Sequence, residues 1–249
     1  MKLEKYQANG NDFLILLDPD DGYPVGAETA RAVCDRHRGV GADGFIRVTK
    51  GPRMELFNAD GGKAETSGNG VRCVARALVD AGLESGPDLV ITSDAGEHRA
   101  SLVADGAVRV EMGIAKVDDL TCNPGAWTAF VETGNPHLVL TDEDAILDLV
   151  TIASKYPDRN VELVTTGPGA DHLTVRVWER GVGETESCGT GACAVAAAAR
   201  RWGLVGDKVT VHQHGGPLQV DFAGESMLLT GPAEHVFTAE ITSPEEEDR

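Results

Sequence analysis

Thr66-Ser67-Gly68-Asn69-Gly70 runs into Val71–Leu78, and Ser187-Cys188-Gly189-Thr190-Gly191 runs into Ala192–Ala199. Both stretches read as a small or hydroxyl residue, then Ser or Cys, then Gly-x-Gly, then an Ala-rich helix. Cys73 and Cys193 fall at nearly matching places in the two helices. Upstream of each comes a Gly-turn loop after a strand, Asn58-Ala59-Asp60-Gly61 in one case and Glu179-Arg180-Gly181-Val182-Gly183 in the other. A repeat spaced at about half the chain implies two similar α/β domains, because solenoid repeats run to only about 20–50 residues.

Period-two alternation between turn signals marks the remaining elements. Strands are predicted at Phe13–Leu17, Phe45–Val48, Leu89–Thr92, His98–Val103 and Val108–Met112 in the first half. In the second half they fall at Phe130–Glu132, Leu138–Leu140, Asn160–Val164, Leu173–Trp178, Lys208–His212, Leu218–Phe222 and Met227–Thr230. Helices are predicted over Glu28–Arg38, Asn69–Ala81 and Thr190–Trp202. The second and third are apolar on most faces, which is the pattern of a buried helix.

A helix N-terminus leaves its first N–H groups unpaired and carries positive dipole charge, so it suits an anion such as a carboxylate. Glycines let that anion reach the backbone. The same field lowers a thiol from its free pKa of roughly 8.5, which makes Cys188 a candidate thiolate base or nucleophile. Two other readings of Gly-x-Gly fail on residues. The third glycine of a dinucleotide fingerprint is missing from both loops, and no Gly-Lys-Ser/Thr of a P-loop occurs.

Composition narrows the function classes. The formal charge is −18. With no Lys/Arg patch, the chain is not expected to bind nucleic acid or an anionic membrane. No run of eighteen apolar residues marks a membrane helix, and the start of the chain has no signal-peptide core. Five cysteines without a C-x-x-C pair argue against a disulfide framework or a zinc ribbon, and point to a reducing, cytoplasmic compartment.

Six motifs in order resemble the diaminopimelate epimerase family. They are Gly10-Asn11-Asp12-Phe13, Gly39-Val40-Gly41-Ala42-Asp43, Phe57-Asn58-Ala59-Asp60-Gly61, Gly68-Asn69-Gly70-Val71-Arg72-Cys73, Gly134-Asn135-Pro136-His137, and Glu179–Thr185 with Ser187–Gly191. The resemblance implies an α/β (α+β) fold of two pseudo-symmetric domains, each a curled, mostly antiparallel sheet around a central helix. It places the active site in the interdomain cleft. It implies an isomerase of lysine and peptidoglycan biosynthesis that interconverts LL- and meso-diaminopimelate without pyridoxal phosphate, metal or other cofactor. The implied partner is the small-molecule substrate, and the sequence leaves open whether the chain is a monomer or a homodimer.

Carried over by residue, the resemblance makes Cys188 one acid/base. Gly68, Asn69, Gly189 and Thr190 hold the α-carboxylate through backbone N–H groups. Asn11, Asn58, Asn135, Asn160, Glu179 and Arg180 match positions that hold the substrate's distal end, and His137 and Glu179 match residues that tune the thiols. Plain structural roles stand beside these. Asn in a turn serves its own backbone, His137 can be a satisfied buried histidine, and Glu179–Arg180 can be a surface ion pair.

Ser67 departs from the family pattern, which has Cys at that position. A hydroxyl is a poor acid/base unless activated. The sequence leaves open an engineered replacement, a natural Ser/Cys pair, and a homologue with one-base chemistry or none. A related racemase of histidine or hydroxyproline type is the alternative function, and a silent binding protein a third. Gly44 is a second departure, where a side chain is absent and a wetter distal pocket is expected. The domains are placed at 1–115 and 116–232, with His235–Ile241 returning as a strand to the first.

Overall fold

A computed structural model describes residues 1–64, 67–123, 126–144 and 146–241. The chain divides into two compact units, Met1–Val110 with the segment from Pro232 onward, and Glu111–Gly231.

The first unit is built from β1 (Lys2–Ala8), β2 (Asn11–Leu17), α1 (Ala27–Cys34), β3 (Gly44–Thr49), β4 (Arg53–Asn58), β5 (Lys63–Ala64), α2 (Gly68–Asp80), β6 (Asp88–Ser93), β7 (Gly96–Leu102) and the first residues of β8 (Val108–Ile114), a strand that continues past the unit boundary at Val110. The second contains β9 (Lys116–Asn123), β10 (Ala126–Glu132), β11 (Pro136–Thr141), α3 (Leu149–Lys155), β12 (Asn160–Thr166), β13 (His172–Glu179), β14 (Gly183–Thr185), α4 (Gly189–Arg201), β15 (Lys208–Gln213), β16 (Gly216–Ala223) and β17 (Ser226–Gly231). The last strand, β18 (Glu234–Glu240), pairs antiparallel with β1.

The two units repeat one topology. In the first, the order is β18-β1-β2-β3-β4-β6-β7-β8, with β2–β3 and β4–β6 parallel and β5 hung on β4. In the second it is β9-β10-β11-β12-β13-β15-β16-β17, with β11–β12 and β13–β15 parallel and β14 hung on β13. α2 packs on β18, β1 and β2 and also on β6 and β7, so strands from both ends of the order reach one helix and the sheet curls round it. α4 is wrapped likewise by β9 through β12 and by β15 through β17. This is the mixed, strand-rich α/β fold that the resemblance implies.

The helix sequences explain the wrapping. Ala192–Ala199 are all buried, among Val131, Val139, Val175, Val211 and Leu229. Small side chains on every face let strands approach from all sides. α2 differs by carrying Arg72, which is fully buried. Its guanidinium donates to Asn9 Oδ1 (3.0 Å), Asn69 Oδ1 (2.6 Å) and the Pro232 carbonyl (3.1 Å), tying the lead-in to β18 onto the helix.

Two local expectations are corrected. α1 ends at Cys34, short of Arg38. Asp35 Oδ1 accepts the N–H groups of His37 (2.7 Å) and Arg38 (2.8 Å), and this side-chain turn replaces the next helical turn. Gly44 does not open a wetter space. A side chain there would meet the Phe57 carbonyl at 3.0 Å and the Phe13 ring at 3.1 Å, so the volume is already filled. Among the described residues no helix is long and apolar enough to cross a membrane.

Candidate active site

Each unit places one of the two quoted loops at the start of its central helix. In the first, Ser67 is the N-cap of α2 and its Oγ accepts the Gly70 N–H at 3.1 Å. Ser67 is half-buried, and among the described residues no carboxylate or imidazole hydrogen-bonds its hydroxyl. Asn69, buried in the first turn of α2, donates to Asn11 Oδ1 at 3.2 Å. Asn11 in turn donates to Asp43 Oδ2 at 2.9 Å, so both ends of its amide are engaged by the scaffold. Behind them Asp12 meets Arg36 at 2.8 Å and Lys5 at 2.7 Å. Although burial pushes the Asp12 carboxyl up, these cations hold it down to about 2. Asn58 ends β4 in a turn, exposed, with its N–H on the Gly62 carbonyl at 2.8 Å.

In the second unit Cys188 is the N-cap of α4, and its Sγ accepts the Gly191 N–H at 3.4 Å. The match with Ser67 and Gly70 is atom for atom. The Ala192 N–H goes to the Cys188 carbonyl, which leaves the N–H groups of Gly189 and Thr190 as those with no intrahelical acceptor. Thr190 Oγ1 lies 3.4 Å from Sγ and Asn160 Nδ2 lies 3.9 Å from it. Asn160 Oδ1 accepts the Arg180 N–H at 2.9 Å, which ties the Glu179-Arg180 turn to the same place. Glu179 Oε1 takes the Thr185 hydroxyl at 2.6 Å. The exposed Arg180 guanidinium reaches the Asp158 carbonyl at 3.3 Å, so Glu179 and Arg180 form no ion pair with each other.

The electrostatics overturn one expectation. Burial pushes the Cys188 thiol well above its usual range, and the nearby Glu179 and Glu162 carboxylates push it further. The Thr190 hydroxyl and Gly191 N–H pull the other way without prevailing. Cys188 is therefore a neutral thiol at rest, not a thiolate, because one helix start is outweighed by desolvation plus two carboxylates. Burial also raises Glu179, opposed by hydrogen bonds from the Thr185 hydroxyl and the Cys188 thiol.

His137 makes no hydrogen bond to Cys188. Its Nδ1 faces Glu162 Oε1 at 2.6 Å and its Nε2 faces Asn135 Oδ1 at 3.0 Å. Glu162 belongs to none of the sequence motifs, yet it is fully buried within this cluster. Its signal was an acid inside the apolar run Val161–Val164, since a fully buried Glu needs a partner. Gln213 is the other omission. Its Oε1 accepts the Cys188 N–H at 2.6 Å and its Nε2 donates to the Cys188 carbonyl at 3.0 Å, clasping the backbone of that residue. No local pattern at the end of β15 announces this.

The family model described as diaminopimelate epimerase matches residues 3–117 and 129–236. A diaminopimelate epimerase of Rhizorhabdus wittichii is 39% identical over 272 residues, covering 96% of this chain and 95% of that one. A diaminopimelate epimerase of Cyanothece sp. is 36% identical over 275 residues, covering 95% and 98%. Among solved structures, a Bacillus anthracis phenazine biosynthesis protein of the PhzF family has a TM-score of 0.77 at 16% identity, covering 98% and 99%, a likeness of fold. The chain belongs to the diaminopimelate epimerase family.

Proposed function

We propose that this chain interconverts LL- and meso-diaminopimelate by removing and returning the α-proton, a step in lysine biosynthesis. The observation that carries the reading is the Cys188 turn, where a thiol caps α4 beside two N–H groups without intrahelical acceptors. Those N–H groups, from Gly189 and Thr190, suit the α-carboxylate and the charge it gains as the α-carbon becomes a carbanion.

Cys188, protonated at rest, stands ready as an acid that returns a proton to one face of the α-carbon. To act as a base it passes its proton to Glu179, a carboxyl that burial raises and so makes a readier proton acceptor. Ser67 holds the equivalent place on α2, the position that the family resemblance makes the second acid/base, and a hydroxyl there makes its transfer the slower one. Asn58, Asn135, Asn160 and Arg180 supply polar groups for the distal amino-acid end. A substrate with one carboxylate and no second amino-acid group leaves them unpaired at a cost. The names of the relatives do not favour the histidine-type, hydroxyproline-type or silent readings.

Incubation with LL-diaminopimelate, with histidine and hydroxyproline in parallel, tests the reading by chiral separation of products. Meso product from diaminopimelate alone is expected. Inversion of either other amino acid at a comparable kcat/KM overturns the substrate assignment.

A further inference from the structure

His137 has a hydrogen-bond acceptor at each ring nitrogen, Glu162 Oε1 at 2.6 Å and Asn135 Oδ1 at 3.0 Å. An imidazole satisfies two acceptors only by carrying hydrogen on both nitrogens. That form is a cation, and a cation is what the buried Glu162 carboxylate requires, since an unpaired charge in a dry interior is strongly disfavoured. Both side chains have no exposed surface. The far oxygen of Glu162, Oε2, is buried with no hydrogen-bond partner among the described residues, so the contact of this carboxyl with His137 is made through Oε1.

The consequence falls on Asn135, which is only half-buried. Its Oδ1 is turned to His137, with Thr133 Oγ1 also 3.4 Å away. The carboxamide is thus held in one of its two flips, and the amide nitrogen is the end that faces away from the pair. We propose that Glu162 and His137 are positioning residues, a buried ion pair that locks Asn135 with its Nδ2–H₂ toward the substrate, so that Asn135 recognises a carboxylate oxygen and not an ammonium group. This rests on the proposed function for the identity of the substrate, but not for the pair itself.

The pair is fixed from the other side as well. A Cβ on Gly191 would lie 2.8 Å from Glu162 Oε1, so the first turn of α4 closes directly over the carboxylate. The same carboxylate therefore sets the Asn135 amide and packs under the turn that carries Cys188.

Two measurements test the relay. In ¹⁵N-histidine-labelled protein without substrate, with the His137 signals identified by their loss in His137→Gln, both ring nitrogens are expected at protonated shifts at pH 7. A neutral ring overturns the proposal, whatever the enzyme acts on. In kinetics, Glu162→Gln is expected to raise KM for LL-diaminopimelate about tenfold, and Glu162→Asp to recover part of the loss. Glu162→Gln added to Asn135→Ala is expected to change KM no further. A loss confined to kcat, or full additivity with Asn135→Ala, overturns the relay. Absence of any turnover of diaminopimelate by the native chain sinks the proposed function, and the nitrogen shifts still decide the pair.

Discussion

Gly191→Ala isolates the packing under the Cys188 turn, because Gly70→Ala makes the same change at the equivalent place on α2. In both helices the new Cβ meets the Cβ of the capping residue at 3.3 Å. The third body differs. At Gly70 it is Ile46 Cδ1, 3.2 Å away and the free end of a flexible side chain. At Gly191 it is Glu162 Oε1 at 2.8 Å, already committed to His137 at 2.6 Å. Replacing Gly by Ala in a helix gains about 0.5–1 kcal/mol. Overpacking against a fixed neighbour costs roughly 1–3 kcal/mol. Gly70→Ala is thus expected to sit within about 1 kcal/mol of the parent. Gly191→Ala is expected to lose about 1–2 kcal/mol, or roughly 2–8 °C in melting temperature at about 2–4 °C per kcal/mol. Moving the cap by even part of an ångström also costs kcat/KM about tenfold or more. Thermal unfolding followed by circular dichroism, with kcat/KM measured on the same preparations, reads both. Gly191→Ala melting with or above Gly70→Ala would refute the reasoning.

Ser67→Cys restores a thiol at the cap of α2, and turnover is expected to rise at least about tenfold with little change in KM; unchanged or lower turnover contradicts the role given to Ser67. Glu179→Gln removes the carboxylate that, after burial, raises Cys188 most, so iodoacetamide at pH 8 is expected to alkylate Cys188 faster than in the parent, while burial keeps Cys34 and Cys73 at about 12 and slow. A slower Cys188 reaction would reverse the assigned sign. Asp12 is ionised more readily folded, at about 2, than its ordinary 3.8, so it stabilises above about pH 4 and that contribution is lost as pH falls toward 2. Asp12→Asn is expected to lower stability at pH 7 and to flatten the acid limb between about pH 4 and 2. An unaltered limb in acid titrations followed by fluorescence contradicts this.

What the sequence disclosed is what local chemistry encodes. The starts of α2 and α4 were legible because Ser67 and Cys188 cap them through side-chain bonds three residues ahead. β1 went unmarked as a strand because its buried positions Leu3, Tyr6 and Ala8 break strict alternation, and its pairing with β18 shifts between Lys5 and Tyr6. α3, only seven residues long, offers too little helical period to detect. The protonation of Cys188 is not legible from its own loop because its cause is distant in sequence. Glu162 and Glu179 reach it from β12 and β13, whose register only folding sets. Gln213, arriving from β15, was hidden for the same reason.

The most direct trial of the account is deuterium uptake by LL-diaminopimelate in heavy water. One deuteron at the inverted α-carbon, entering with the meso product and absent from Cys188→Ala reactions, is the predicted outcome. Recovery of unlabelled substrate with no change of isomer, from a folded chain, would contradict proton transfer at this site.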